Sequence, residues 1–318
     1  MIELRQATKR FDDKSALDCA DLTIGEGTAF GLLGPNGAGK STILRLLSGI
    51  YEADGGAVLI DGQPVFDAPQ VKQRVFFIND ETVQFGSFTL KGLKDYYKGF
   101  YPKFSDEVFD KLAEMVALPM NKRMDTFSKG MKRQAVVITG LASGTDYLLL
   151  DEAFDGLDPT MRIIVRRMLV DAMLDRKLTT VISSHNLNEI NEVCDSVALI
   201  HQGKVVFSRD LDSVKGNVHK IQAAFASDPG EGAFKDERIL HYSRNGSVHY
   251  IIVKGTEEEI QGMFAHLSPT LFDIIPMTLE EIFIYEMEGL GYDSSGLRQT
   301  AGAAGIVDAG AFDKGARA

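Results

Sequence analysis

The stretch "TAFGLLGPNGAGKSTILRLLSG", Thr28 to Gly49, constrains the fold more than any other part of the chain. Its apolar start reads as a strand buried on both faces. The loop "GPNGAGKST", Gly34 to Thr42, fits the phosphate-binding pattern G-x-x-x-x-G-K-[ST]. A helix over roughly Lys40 to Ser48 should follow, carrying Ile43, Leu44, Leu46 and Leu47 and stopping at Gly49. Gly34, Gly37 and Gly39 let the backbone curl so that its N–H groups face a polyphosphate, and the helix N-terminus adds partial positive charge. Lys40 would reach the β- and γ-phosphates, and Ser41 would offer its hydroxyl to Mg²⁺.

A second motif supplies acids for the same chemistry. In "YLLLDEAFDGLDP" an apolar strand ends in Asp151, placed to hold Mg²⁺ through water, and Glu152, placed where a water could attack the γ-phosphate. The surrounding pattern alternates apolar strands ("YLLLDE", "TTVISSH") with helical stretches ("LKDYYKGF", "DEVFDKLAEMVAL", "KRQAVVITGLA", "TMRIIVRRMLVDAMLD"). That alternation implies an α/β fold with a mostly parallel core sheet covered on both faces. Ahead of it, "IELRQA" and "LDCADLTI" alternate apolar and polar residues as half-buried strands do.

On these motifs and their order, the chain resembles the ATP-binding subunit of an ABC transporter from about Met1 to Phe207. The resemblance implies a P-loop cassette with an N-terminal antiparallel β-subdomain and a helical signature subdomain over about 86–143. It implies that Pro35, Asn36 and Ala38 line the phosphate loop and that Thr42 binds the α-phosphate region. "FSKGMKRQ" resembles the family's signature, with Ser128, Lys129, Gly130 and Met131 in place of the commoner Ser-Gly-Gly-Gln. In the family this turn acts in trans, on ATP held by a partner subunit. Asp158 in "GLDP" matches a dimer-contact loop and His185 in "VISSHNLNEI" a switch histidine for the γ-phosphate and the attacking water. Phe11 takes the place of the aromatic that stacks on adenine. Asp80 in "FFINDETVQF" falls where the family has a glutamine touching Mg²⁺, with Asn79 the second choice and Gln84 too far along. An aspartate there could still ligate the metal but could not donate a hydrogen bond as an amide does.

Beyond Ser208 the composition shifts. "HKIQAAF" and "RILHYSRNGSVHYIIV" read as a strand and a hairpin with a primed turn centred on Asn245-Gly246. Two helices follow, announced by the capping-box pairs Thr256/Glu259 and Thr278/Glu281. This gives a small α+β domain over 208–288, after a cassette over 1–207. The Gly-, Ala- and Ser-rich tail over 289–318 is expected to be disordered.

The formal net charge of -11 and pI near 5.1 disfavour nonspecific binding to nucleic acid or anionic lipid, so membrane contact should run through a protein partner. No apolar run reaches the ~20 residues of a membrane span, and the expected place is cytoplasmic, on the inner face of the membrane. Cys19 and Cys194 read as buried free thiols. The resemblance then implies an ATPase using ATP and Mg²⁺, working as a homodimer or with another ABC ATPase, and driving a separate integral membrane permease. "SKGM" and "PMTLEEIFIYEMEG" look most like exporter subunits, for a drug, antibiotic, lipid or peptide. Two alternatives are a nucleotide-gated regulatory subunit with weak hydrolysis and a soluble ABC ATPase acting on ribosomes or chromosomes. The single phosphate loop and its short interval to Ser128 argue against the latter.

Overall fold

A computed structural model of the protein describes residues 1–79, 87–275 and 277–289. The chain divides into two compact units, Met1–Leu211 and the residues from Asp212 onward. In the first, β1 (Ile2–Phe11), β2 (Lys14–Ile24) and β3 (Ala29–Leu33) lead into α1 (Lys40–Leu47), then β4 (Gly55–Ile60), β5 (Gln63–Pro64), α2 (Pro69–Lys72) and β6 (Val75–Ile78). Three helices follow, α3 (Leu90–Lys98), α4 (Asp106–Met115) and α5 (Lys129–Ala142). The unit continues through β7 (Tyr147–Asp151), α6 (Pro159–Arg176), β8 (Thr179–Ser183), α7 (Leu187–Val193), β9 (Ser196–His201) and β10 (Lys204–Asp210).

The core is a six-stranded sheet in the order β10-β9-β3-β8-β7-β6, parallel except for the β9-β10 hairpin. Every residue of β3, β7 and β8 is buried, as a sheet covered on both faces requires. A second, antiparallel sheet runs β2-β1-β4-β5. Helix α1 joins the two through one cluster holding Ile2 and Ile24 of that sheet, Ile43, Leu44 and Leu47 of the helix, and Leu149, Val181 and Ile200 of the core sheet. Each of these helix side chains contributes on the order of 2 kcal/mol by leaving water. The helix ends in a Schellman turn. The Gly49 N–H bonds the Leu46 carbonyl, the Ile50 N–H bonds the Arg45 carbonyl, and Gly49 takes φ 67°.

Two sequence expectations need correction. Cys19 is exposed, because a bulge where β2 pairs with β1 breaks the alternation: Leu17 and Ala20 face in, while Cys19 takes φ 48° and faces out. Only Cys194 is a buried thiol. Strand β10 also runs on through Asp210, past the composition shift near Ser208.

From Leu211 a short helix, α8 (Leu211–Lys215), leads into β11 (Val218–Ala224), β12 (Ile239–Asn245), β13 (Val248–Lys254), α9 (Glu257–Ala265), β14 (Leu271–Ile275) and α10 (Leu279–Gly289). The strands form one antiparallel sheet, β12-β13-β11-β14. Ile221, Ile251 and Val253 pack with Ile260 and Phe264 of α9. Both capping boxes form, with Glu259 and Glu281 reaching back to the N–H groups of Thr256 and Thr278. The hairpin tip differs from the sequence reading by one residue. Asn245 pairs with Val248 inside the ladder, and Gly246 at φ 62° opens the turn, as glycine does at the first position of a type II′ turn. Strand β14, between the two helices, was not foreseen; "LFDII" is too short and flanked too weakly to separate from a helix start. No helix among the described residues is long and apolar enough to cross a membrane.

Candidate functional site

Strand β3 delivers the chain to the phosphate loop and α1 takes it away. Gly34 sits at φ 145°, where a Cβ would fall 2.1 Å from the Ile200 carbonyl oxygen, so only glycine passes this crossing of strand and loop. Gly39 is the N-cap of α1 at φ 117° and offers no side-chain oxygen to the first turn. The N–H groups of that turn are left for a ligand. Lys40 is buried, and its Nζ donates to the carbonyls of Gly34 at 2.6 Å and Pro35 at 3.3 Å. Burial lowers its pKa, against the pull of Glu152 and Asp151, which raises it.

Asp151 closes β7 directly beside Ser183 of β8 in the parallel register. It is fully buried, and its Oδ1 accepts from Ser41 Oγ at 3.0 Å and Ser183 Oγ at 2.5 Å. Its Oδ2 is buried with no hydrogen-bond partner among the described residues. An unpartnered carboxylate oxygen in a buried site is costly unless a donor or cation serves it. Glu152 follows at φ 48°, a left-handed conformation costing roughly 1 kcal/mol for a residue with a Cβ, and its N–H bonds the Ser183 carbonyl at 3.2 Å. That turn aims its carboxylate at His185, whose Nδ1 lies 2.9 Å from Oε2. Burial raises the pKa of Glu152, while His185 and Lys40 oppose the rise. The Asp155 carboxylate lies within 4.8 Å of this pair.

The structure thus brings Gly34, Lys40, Ser41, Asp151, Glu152 and His185 into one site. Pro35, Asn36, Gly37, Ala38 and Thr42 belong to the same loop and helix start. The other expected residues make contacts of their own. Ser128 is the exposed N-cap of α5, its Oγ accepting the Met131 N–H at 3.2 Å. Lys129 lies along Gly156, and a Cβ on Gly130 would fall 3.1 Å from the Gly156 carbonyl oxygen, so the signature turn rests on loop 155–158. Asp158 caps α6 by accepting the Met161 N–H at 3.0 Å. Phe11 is 40% exposed at the end of β1, edge-on to Tyr51 with centroids 5.2 Å apart, and is not a core residue. Asp80 and Gln84 lie outside the described residues; the Asn79 carbonyl accepts from Arg133 at 2.5 Å. Ser183 joins the site although no sequence pattern singles it out, because the β7–β8 register sets it beside Asp151.

The chain is similar to known proteins in sequence and in fold. The ABC transporter family profile matches residues 17–155. The chain is 33% identical over 289 residues to the ABC transporter ATP-binding protein YtrB of Bacillus subtilis, covering 91% of this chain and 99% of that protein. It is 32% identical over 267 residues to the methionine import ATP-binding protein MetN of Staphylococcus saprophyticus, covering 79% of this chain and 78% of that one. A solved dimeric ATP-binding cassette, in a post-hydrolysis state with ADP and Pi, shares the fold with a TM-score of 0.60 at 21% identity, covering 66% of this chain and 99% of that chain.

Proposed function

Since this chain belongs to the family of ABC transporter ATP-binding proteins, an ATP-binding ATPase, we propose that it powers a separate integral membrane permease that holds it at the inner face of the cell membrane. The observation that carries the chemistry is Asp151. One of its oxygens gathers the hydroxyls of Ser41 and Ser183, and the other is buried with no hydrogen-bond partner among the described residues. Oxygen ligands of this kind suit Mg²⁺, so the residues present fit the metal. Ser41 and Asp151 would hold it, with Asp80 as a further carboxylate, and bound there it would offset charge on the β- and γ-phosphate oxygens.

The chain's own groups do the rest. Backbone N–H groups of residues 34–42 cradle the phosphates, and Lys40 exchanges its loop carbonyls for phosphate oxygens. Glu152 accepts the proton of the attacking water. His185 orients that carboxylate and reaches the γ-phosphate. Phe11 stacks on adenine. A second cassette, identical or not, supplies Ser128, Lys129, Gly130 and Met131 against the γ-phosphate, with Asp158 at the contact. In one chain the signature turn is occupied with its own loop 155–158, which supports a site completed in trans.

We read the direction as export of a drug, antibiotic, lipid or peptide, from "SKGM" and the C-terminal "PMTLEEIFIYEMEG". The relative named for methionine import makes this the point to test. The full chain would be used to capture its integral membrane partner from detergent-solubilised membranes, and the pair reconstituted in vesicles with the cassette outside. ATP-dependent accumulation of a dye, lipid or peptide inside upholds export. ATP-driven release of preloaded substrate, or the absence of any membrane partner, overturns it.

A further inference from the structure

Helices α6 and α7 are clasped by two arginine–glutamate pairs, Arg162 with Glu189 and Arg166 with Glu192. The two pairs do different things. Glu189 is buried, with 5% of its side chain exposed, and it holds both neighbours of His185. Its Oε2 accepts from Ser184 Oγ at 2.8 Å, and that hydroxyl in turn accepts the Asn186 N–H at 3.0 Å. Its Oε1 lies 3.5 Å from Asn186 Nδ2 and 3.3 Å from Arg162 Nη1. Arg162 uses its other edge on the Leu157 carbonyl, which its Nε reaches at 3.1 Å. Leu157 directly precedes Asp158. A continuous chain of bonds therefore runs from either side of His185, through Glu189 and Arg162, to the loop ending in Asp158.

We propose that Arg162 and Glu189 are a positioning pair that joins the His185 loop to the Asp158 loop, so that the group at the γ-phosphate and the loop offered to the partner cassette move as one piece. The inference rests on the roles given to His185 and Asp158 under the proposed function. Arginine is needed because its planar fork serves two acceptors in different directions at once, the carboxylate and the carbonyl; lysine keeps the charge but has one ammonium to place. The Arg166–Glu192 pair lies one turn further along α6 and, among the described residues, bonds none that flanks His185 or Asp158. It clasps the helices without steering the loops.

That difference supplies the test. Full-length wild type, Arg162→Lys, Arg166→Lys, Glu189→Gln and Glu189→Ala would be compared for steady-state ATPase, for metal-free binding of a fluorescent ATP analogue, and for Tm. Arg162→Lys should lose roughly 10-fold or more in kcat, the scale on which slight misplacement of a reacting group acts. Analogue affinity and KM should stay within about 2-fold, because the phosphate loop is untouched. Arg162→Lys and Arg166→Lys should lower Tm by similar amounts, but Arg166→Lys should keep kcat within about 2-fold. Glu189→Gln retains an acceptor oxygen and should keep more activity than Glu189→Ala. Equal behaviour of Arg162→Lys and Arg166→Lys in both kcat and Tm, or a fall in kcat that only follows lost nucleotide affinity, overturns the inference and leaves the ATPase reading standing. A wild type without ATPase overturns both.

Discussion

Helix α1 and helix α5 each present an N-terminus to phosphate in the mechanism above, yet they begin in opposite ways. α1 starts at Gly39, which has no side chain to cap it, so its first-turn N–H groups are left without a side-chain partner at the end of a glycine-rich loop. α5 starts at Ser128, whose hydroxyl caps its own Met131 N–H and whose turn packs on Gly156. The first has no side-chain cap at all, and the second has one of its first-turn N–H groups, that of Met131, already capped. Under the proposed function, nucleotide capture falls to the single subunit, and α5 keeps its cap until a partner's nucleotide competes for it.

The sharpest way to break this comparison is to disable chemistry within the α1 half alone. Glu152→Gln keeps shape but removes charge and proton acceptance, so hydrolysis should fall by several orders of magnitude while ATP binding persists and an ATP-bound dimer accumulates. ATPase rates and size-exclusion chromatography with ATP check both. The pH profile adds a sign. Burial raises the Glu152 pKa above its ordinary 4.5, and the base must be ionised, so the wild-type rate should fall on acidification through a value higher than 4.5. Residual activity of Glu152→Gln should lack that limb. Hydrolysis near the wild-type rate in the mutant removes Glu152 from the role of base.

Legibility in the sequence follows the same division. The α1 half is written in contiguous motifs, and Gly34, Lys40, Ser41, Asp151 and Glu152 meet where the strand-loop-helix pattern puts them. What sequence could not give is whatever depends on register between strands or on long-range packing. Ser183 becomes a partner of Asp151 only through the β7-β8 pairing, and Arg162 meets Glu189 only through the packing of two helices. Cys19 turns outward through a bulge that no alternation pattern reveals. Strand β14 joins β11 across almost fifty residues, and its five residues carry too little periodicity to announce it.

A smaller effect tests whether the α5 half works on a partner's nucleotide. Ser128→Arg and Lys40→Ala proteins should each be inactive, the first with a blocked signature and the second with a crippled phosphate loop. Mixed, they should regain activity, since one site of the heterodimer pairs an intact loop with an intact signature. An ATPase titration across mixing ratios measures it. If mixed dimers form and no ratio restores hydrolysis, the two halves do not complete each other in trans.

The smallest effect separates capping from catalysis. Ser128 and Ser105 are caps of the same kind: Ser105 Oγ accepts the Val108 N–H of α4 at 3.2 Å, as Ser128 Oγ accepts that of Met131 at 3.2 Å. Removing either hydroxyl should cost about 1 kcal/mol of stability, a few degrees in Tm for a unit of this size. Only one of the two caps stands at the turn proposed to meet a phosphate. Ser128→Ala should therefore lower kcat beyond what Ser105→Ala does at matched Tm loss, with the affinity of a metal-free ATP analogue unchanged in both because neither touches α1. Differential scanning fluorimetry fixes the stability terms and steady-state ATPase reads the difference. If the two variants lose the same small fraction of activity, the Ser128 hydroxyl is a helix cap and nothing more, and the anion-binding role in trans passes to the backbone N–H groups of Lys129 and Gly130, which an alanine leaves in place.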